Sequence, residues 1–170
     1  MAEVDFKQAN ESYAANFGDN GKLSIPPSKH LVVVTCMDAR LNPEEFLGLN
    51  IGEAHIIRNA GGLAKESLRS IIISQRLLGT KDVLVIHHSD CGMLTFSDEQ
   101  LRSKVIDAHS GDTKVSEAVN DLHFGPFPDL DRSVKDDVAF LKNHPLVLKE
   151  GSITGWVYEV ETGKVREVVR

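Results

Sequence analysis

The amino-acid sequence predicts an α/β fold: one domain with a mostly parallel central β-sheet flanked by helices, preceded by an N-terminal helical arm. Three observations carry this. The continuous apolar runs Leu31-Val32-Val33-Val34-Thr35 and Val83-Leu84-Val85-Ile86 read as strands buried on both faces. Between them, apolar residues at helical spacing from Lys65 to Leu78 supply a crossover. Finally, 170 residues at 41% hydrophobic and 26% charged content suffice for one domain with a sizeable core. Strands alternating with helices build a parallel sheet with right-handed crossovers.

Taken in order, residues 4–17 carry Val4, Phe6, Tyr13, Ala14 and Phe17 in a loose helical pattern that Gly18 ends. Residues 18–28 form a linker rich in Gly, Asn and Pro, closed by Ile25-Pro26-Pro27. Residues 1–28 are therefore read as an arm, with 29–170 as the domain proper; whether the arm packs on its own chain or on a partner stays open. After the strand at 31–35, Pro43 to Leu49 is a short helix with Asn42 as N-cap and Pro43 at its first position. Residues 54–58 form the next strand, ending at Asn59-Ala60-Gly61-Gly62, whose glycines let backbone approach a ligand or another strand closely. The helix of 65–78 stops at Gly79, and 82–88 is the third strand. Residues 98–108 are helical, 110–132 a polar ordered excursion, and 133–143 a further helix before Pro145. Two β-rich runs in 153–169, around the turn Glu161-Thr162-Gly163-Lys164, extend the sheet.

The net charge of −6 argues against nucleic acid or an anionic membrane as partner, since no basic surplus exists to meet phosphates. The first residues lack the basic start and apolar core of a signal peptide, and no apolar stretch approaches the roughly 20 residues that span a bilayer. A cytoplasmic, reducing location is expected.

The chemistry concentrates in two places. Cys36-Met37-Asp38-Ala39-Arg40 ends the first strand, and His88-Ser89-Asp90-Cys91-Gly92 ends the third. In open α/β sheets ligands bind beyond the carboxyl ends of strands, so topology brings the two motifs to one edge. Two thiolates and an imidazole suit Zn2+, and three protein ligands leave a fourth position open, as in catalytic rather than structural sites. The two-residue gap between His88 and Cys91 allows a turn to chelate one ion, and Cys91-Gly92 is read as opening a helix whose dipole favours a thiolate. With the metal reading available, a Cys36–Cys91 disulfide is the weaker alternative. Cys36, Asp38 and Arg40, two apart, share a face in extended backbone. Two thiolates neutralise the ion, so its bound water is less acidic than on three histidines and needs help to lose a proton. Asp38 paired with Arg40 could give that help; released by Arg40, Asp38 could itself fill the fourth position. His87 is read as a core or supporting histidine, His55 as a satisfied strand histidine, Ser89 and Asp90 as turn formers, and Met93, Leu94 and Phe96 as core.

Cys-x-Asp-x-Arg, Arg-Asn-Ala-Gly-Gly and His-x-x-Cys-Gly, in that order, resemble the β-class carbonic anhydrase family, strongly over about Ser28 to Phe96 and weakly through Gly155-Trp156-Val157-Tyr158. The short length points to its small subgroup, which also includes carbonyl sulfide hydrolases. The resemblance implies one zinc per chain on Cys36, His88 and Cys91, with Asp38 and Arg40 as the catalytic dyad. It further implies a homodimer or homotetramer with its active site near the subunit interface. The expected activity is hydration of CO2 to bicarbonate by zinc-bound hydroxide. The alternatives are hydrolysis of carbonyl sulfide at the same site and, from another class, a non-catalytic zinc-binding or redox-sensing protein.

Overall fold

The computed structural model describes residues 5–170; Val4, counted above in the first helical pattern, lies outside them. A five-stranded sheet has the order β2-β1-β3-β4-β5. Its strands are β1 (Leu31–Cys36), β2 (Ala54–Asn59), β3 (Asp82–His88), β4 (Ile153–Glu159) and β5 (Lys164–Val169). All neighbours are parallel except β4 and β5, which form an antiparallel hairpin at one edge. The α/β class and the mostly parallel sheet are as the sequence predicts.

Alternation along each strand sends successive side chains to opposite faces. On one face Val32, Val34, Val83, Val85 and Ile153 form the core with Ala64 and Ile71 of α3 (Ala64–Leu78) and Val138 and Leu141 of α6 (Leu130–Asn143). Each such side chain, removed from water, contributes roughly 1.5–3 kcal/mol for a Val, Leu or Ile. Helix α6 lies so close to β4 that a Cβ at Gly155 would collide with Val134 and Val138. Glycine is therefore the packing solution there.

The N-terminal α1 (Phe6–Ala15) is capped by Asp5, whose carboxylate accepts from the Gln8 N–H, but none of its residues is buried. Four expectations change in detail. Helix α2 (Pro43–Phe46) is shorter than read, because Gly48 at φ +64° turns the chain away. The Asn42 side chain donates to Glu45 Oε2 instead of capping the backbone. The excursion after α4 (Asp98–Ala108) contains a helix, α5 (Thr113–Asn120), started by Asp112, which accepts from the Lys114 and Val115 N–H groups. Helix α6 begins at Leu130 rather than Ser133, because Asp129 caps it through the Arg132 N–H. Among the described residues no helix is long and apolar enough to cross a membrane.

Candidate metal centre

Strands β1 and β3 are neighbours, joined beyond their ladder by the buried Thr35 hydroxyl, which donates to Ile86 O at 2.8 Å. Their carboxyl ends deliver Cys36 and His88 to the same edge. Cys91 follows in the turn after β3, and the donor atoms of the three residues lie within 4.8 Å of one another. All three are buried. Both cysteines are free thiols, so the disulfide alternative is not realised.

The loop after β2 closes behind this edge. Asn59 ties it by donating to Leu63 O and Ser67 Oγ while accepting from the Leu63 N–H. Gly62, at φ +70°, lies against β1: a Cβ there would sit 2.8 Å from the Thr35 carbonyl carbon and 2.9 Å from the Cys36 nitrogen. Gly62 thus serves approach to a strand, one of the two uses read from sequence, whereas a Cβ at Gly61 would meet the Met93 and Phe127 side chains.

His88 shows what the site is prepared for. Its Nδ1 lies 2.8 Å from Ser89 O, so Nδ1 carries the proton and Nε2 presents a lone pair. That Nε2 is buried and has no hydrogen-bond partner among the described residues. A buried acceptor left unpaired costs about 1–3 kcal/mol, so it calls for a ligand. The thiols agree. A hydrogen bond from Cys91 draws the Cys36 thiol well below its usual range, with burial opposing and His88 and the Asp38 and Gly61 backbone assisting. Cys91 is pushed up, first by that same bond and then by burial. Two buried sulfurs so coupled make a donor set that a cation can complete. Burial opposes charging of His88, yet the neighbouring Cys36 sulfur and the contact with Ser89 O raise it overall. The residues fit a thiophilic divalent ion.

Asp38 and Arg40 adjoin this pocket but do not continue β1. The strand ends at Cys36, and the next residues form a turn in which Asp38 Oδ1 accepts from the Arg40 backbone N–H at 2.9 Å. The shared face expected of extended backbone is therefore not formed, although the pairing it anticipated exists. Arg40 Nε donates to Asp38 Oδ1 at 3.0 Å and Nη2 to Asp38 Oδ2 at 2.8 Å, a bidentate contact. The Arg40 guanidinium holds the Asp38 carboxyl well below the usual range. Asp38 Oδ2 stands 3.8 Å from His88 Nε2.

Sequence reasoning missed two contributors. Arg58 of β2 donates to Cys36 O at 2.9 Å and to Asp38 O at 2.6 Å, clamping the backbone that carries both. Asp90, read as a turn former, accepts from Arg40 Nη1 at 2.7 Å. Cys91 precedes only a three-residue 3-10 turn, Gly92–Leu94, so no helix dipole of consequence acts on it. Met93 and Phe96, read as core, also line a cleft of about 270 Å³ with Cys36, Asp38, Gly61 and Cys91. His87 is fully buried, its Nε2 3.2 Å from Asp137 Oδ2, and His55 meets Ser74 Oγ at 2.7 Å. Both are supporting histidines, as read.

A family model for carbonic anhydrase matches residues 31–165. β-Carbonic anhydrase 1 of Mycobacterium tuberculosis is 41% identical over 165 residues, which cover 96% of each chain. This chain belongs to the β-carbonic anhydrase family. A solved carbonic anhydrase from Glaciozyma antarctica superposes with a TM-score of 0.94 at 53% identity, covering 99% of this chain and 98% of that one. Carbon disulfide hydrolase of Saccharolobus solfataricus is 36% identical over 168 residues, covering 84% of this chain and 79% of its own. Membership makes the chain an enzyme, in a family of zinc enzymes, and the non-catalytic alternative falls away.

Proposed function

We propose that this β-carbonic anhydrase hydrates CO2 to bicarbonate at a zinc ion held by Cys36, His88 and Cys91, with Asp38 and Arg40 as its catalytic dyad. One observation supports this above the others: the unpaired His88 Nε2 and two buried sulfurs converge beside a carboxylate that Arg40 restrains. Zinc in that position supplies a Lewis acid that makes water a nucleophile near neutral pH. The chain does the rest. Asp38, kept ionised by Arg40, accepts a hydrogen bond from the reacting water and orients it. Arg40 occupies both carboxylate oxygens and keeps Asp38 from entering the ligand set. Ala60, Met93 and Phe96 give the cleft an apolar wall, which suits a small uncharged linear substrate.

Two variants test the assignment on purified protein. Cys36→Ser should lose zinc and turnover together. Asp38→Asn should keep zinc and lose at least about a hundredfold in kcat, the scale of general acid–base assistance. Full activity in either variant refutes the corresponding role.

The apolar cleft also accommodates sulfur, and carbon disulfide hydrolases are among the relatives. Carbonyl sulfide hydrolysis to CO2 and hydrogen sulfide is the second reading, separated from the first by parallel assays of CO2 hydration and sulfide release. We further assign residues 1–28 as an arm, residues 29–170 as the catalytic domain, and the protein to a cytoplasmic homodimer or homotetramer. The arm supports assembly, because Phe6 and Tyr13 of α1 are exposed. Sedimentation of the full chain at micromolar concentration as a monomer would exclude it.

A further inference from the structure

Arg40 is gripped from two sides. Asp38 holds it within one turn, while Asp90, fifty residues away in sequence, holds it from the turn that carries His88 and Cys91. Asp90 uses both its groups: its carboxylate accepts from Nη1 at 2.7 Å and its backbone carbonyl from Nη2 at 3.0 Å. It does so from φ +53°, a left-handed conformation that among the described non-glycine residues only His30 also adopts. That region strains an L-residue, Asp somewhat less than most. The Asp90 side chain is 75% exposed. An ion pair so open to solvent adds little to the stability of a fold, so fold stability does not explain the strain.

We propose that Asp90 is a positioning residue that holds the Asp38–Arg40 pair in register with the metal-binding turn. The bonds between Asp38 and Arg40 are internal to the loop after β1 and travel with it. The contact from Arg40 to Asp90 refers that loop to the β3 turn. It keeps the Asp38 carboxylate beside His88 Nε2, at 3.8 Å, without letting it move onto the ion's open position. The inference rests on the dyad reading above.

Asp90→Gly and Asp90→Asn separate geometry from stability. Glycine adopts φ +53° freely but lacks the carboxylate; asparagine tolerates that φ and keeps an acceptor oxygen. In the zinc-loaded full chain, Asp90→Gly should leave the melting temperature unchanged or raised, with zinc content intact. Nitrogen-15 NMR should show faster rotation of the Arg40 guanidinium, and kcat should fall roughly 10–100-fold, as when a supporting partner is lost. Asp90→Asn should stay within about threefold of wild type, with slow rotation retained. Unchanged Arg40 rotation in Asp90→Gly overturns the proposal, as does unchanged kcat or a loss of kcat that merely follows a fall in melting temperature. Wild-type protein that turns over neither CO2 nor carbonyl sulfide would sink the functional reading instead, and the NMR comparison would still decide the tether.

Discussion

Gly62→Ala offers a direct measure of how tightly the β2 loop is pressed against the strand that carries Cys36. Two costs add. At φ +70° any L-residue is strained by about 1–2 kcal/mol. The new Cβ would also stand 2.8 Å from the Thr35 carbonyl carbon and 2.9 Å from the Cys36 nitrogen. Strand β1 is hydrogen-bonded on both sides and cannot retreat, so overpacking adds about 1–3 kcal/mol. A total of about 3 kcal/mol lowers the melting temperature by roughly 6–12 °C in a chain of this size. The control is Gly163→Ala, at the same φ of +70° but with its nearest neighbour 3.8 Å away, so it reports strain alone. Thermal denaturation followed by circular dichroism, on metal-free protein, compares the two. Equal shifts in both variants would refute the close-packing argument, because the contact would then contribute nothing beyond strain.

Three other outcomes are expected. Asp137→Ala removes the acceptor of the Ala64 N–H at the start of α3 and of buried His87, so urea denaturation should show a loss of about 2–4 kcal/mol; a loss under about 1 kcal/mol contradicts this. Asp82 accepts from the Ser152 hydroxyl and backbone N–H, which lower its pKa below 3.8, so its stabilisation is present above that value and lost as pH falls through the folded pKa. Asp82→Asn should therefore destabilise the protein by about 1 kcal/mol at neutral pH with a deficit that vanishes in acid; a pH-independent deficit would count against it. Because the hydrogen bond between the two sulfurs lowers Cys36 and raises Cys91, the pair holds one proton between them, so zinc binding at about pH 8 should release about one proton per ion, read by calorimetry in buffers of different ionisation enthalpy; release near two would mean independent thiols.

Most of the frame was legible because it rests on local pattern. The valine-rich runs of β1 and β3 have one good solution, a strand covered on both faces, and Gly79 marks the end of α3 at φ +70°. Helix α5 escaped notice although its signals are present: Asp112 caps it, and Val115 and Val119 sit one turn apart. Its polar surroundings and the following Gly125-Pro126 outweighed them. At the site, residue types and spacing pointed to the Cys36–His88–Cys91 cluster and to the Asp38–Arg40 pair, whereas Arg58 and Asp90 act through hydrogen bonds that span 20 and 50 residues. Such contacts leave no periodic trace. Their partners are visible only once β2, β1 and β3 lie side by side.

The donors come from two chain segments, residue 36 on one and residues 88 and 91 on the other. An ion bound there acts as a removable crosslink across more than fifty residues. In the chain-entropy account, closing a loop of that size restricts the denatured ensemble by roughly 4 kcal/mol, comparable to a disulfide. Unlike a disulfide, this staple answers to concentration: its contribution grows with the logarithm of free metal above the dissociation constant. The resistance of the protein to unfolding would thus follow the metal supply of its surroundings.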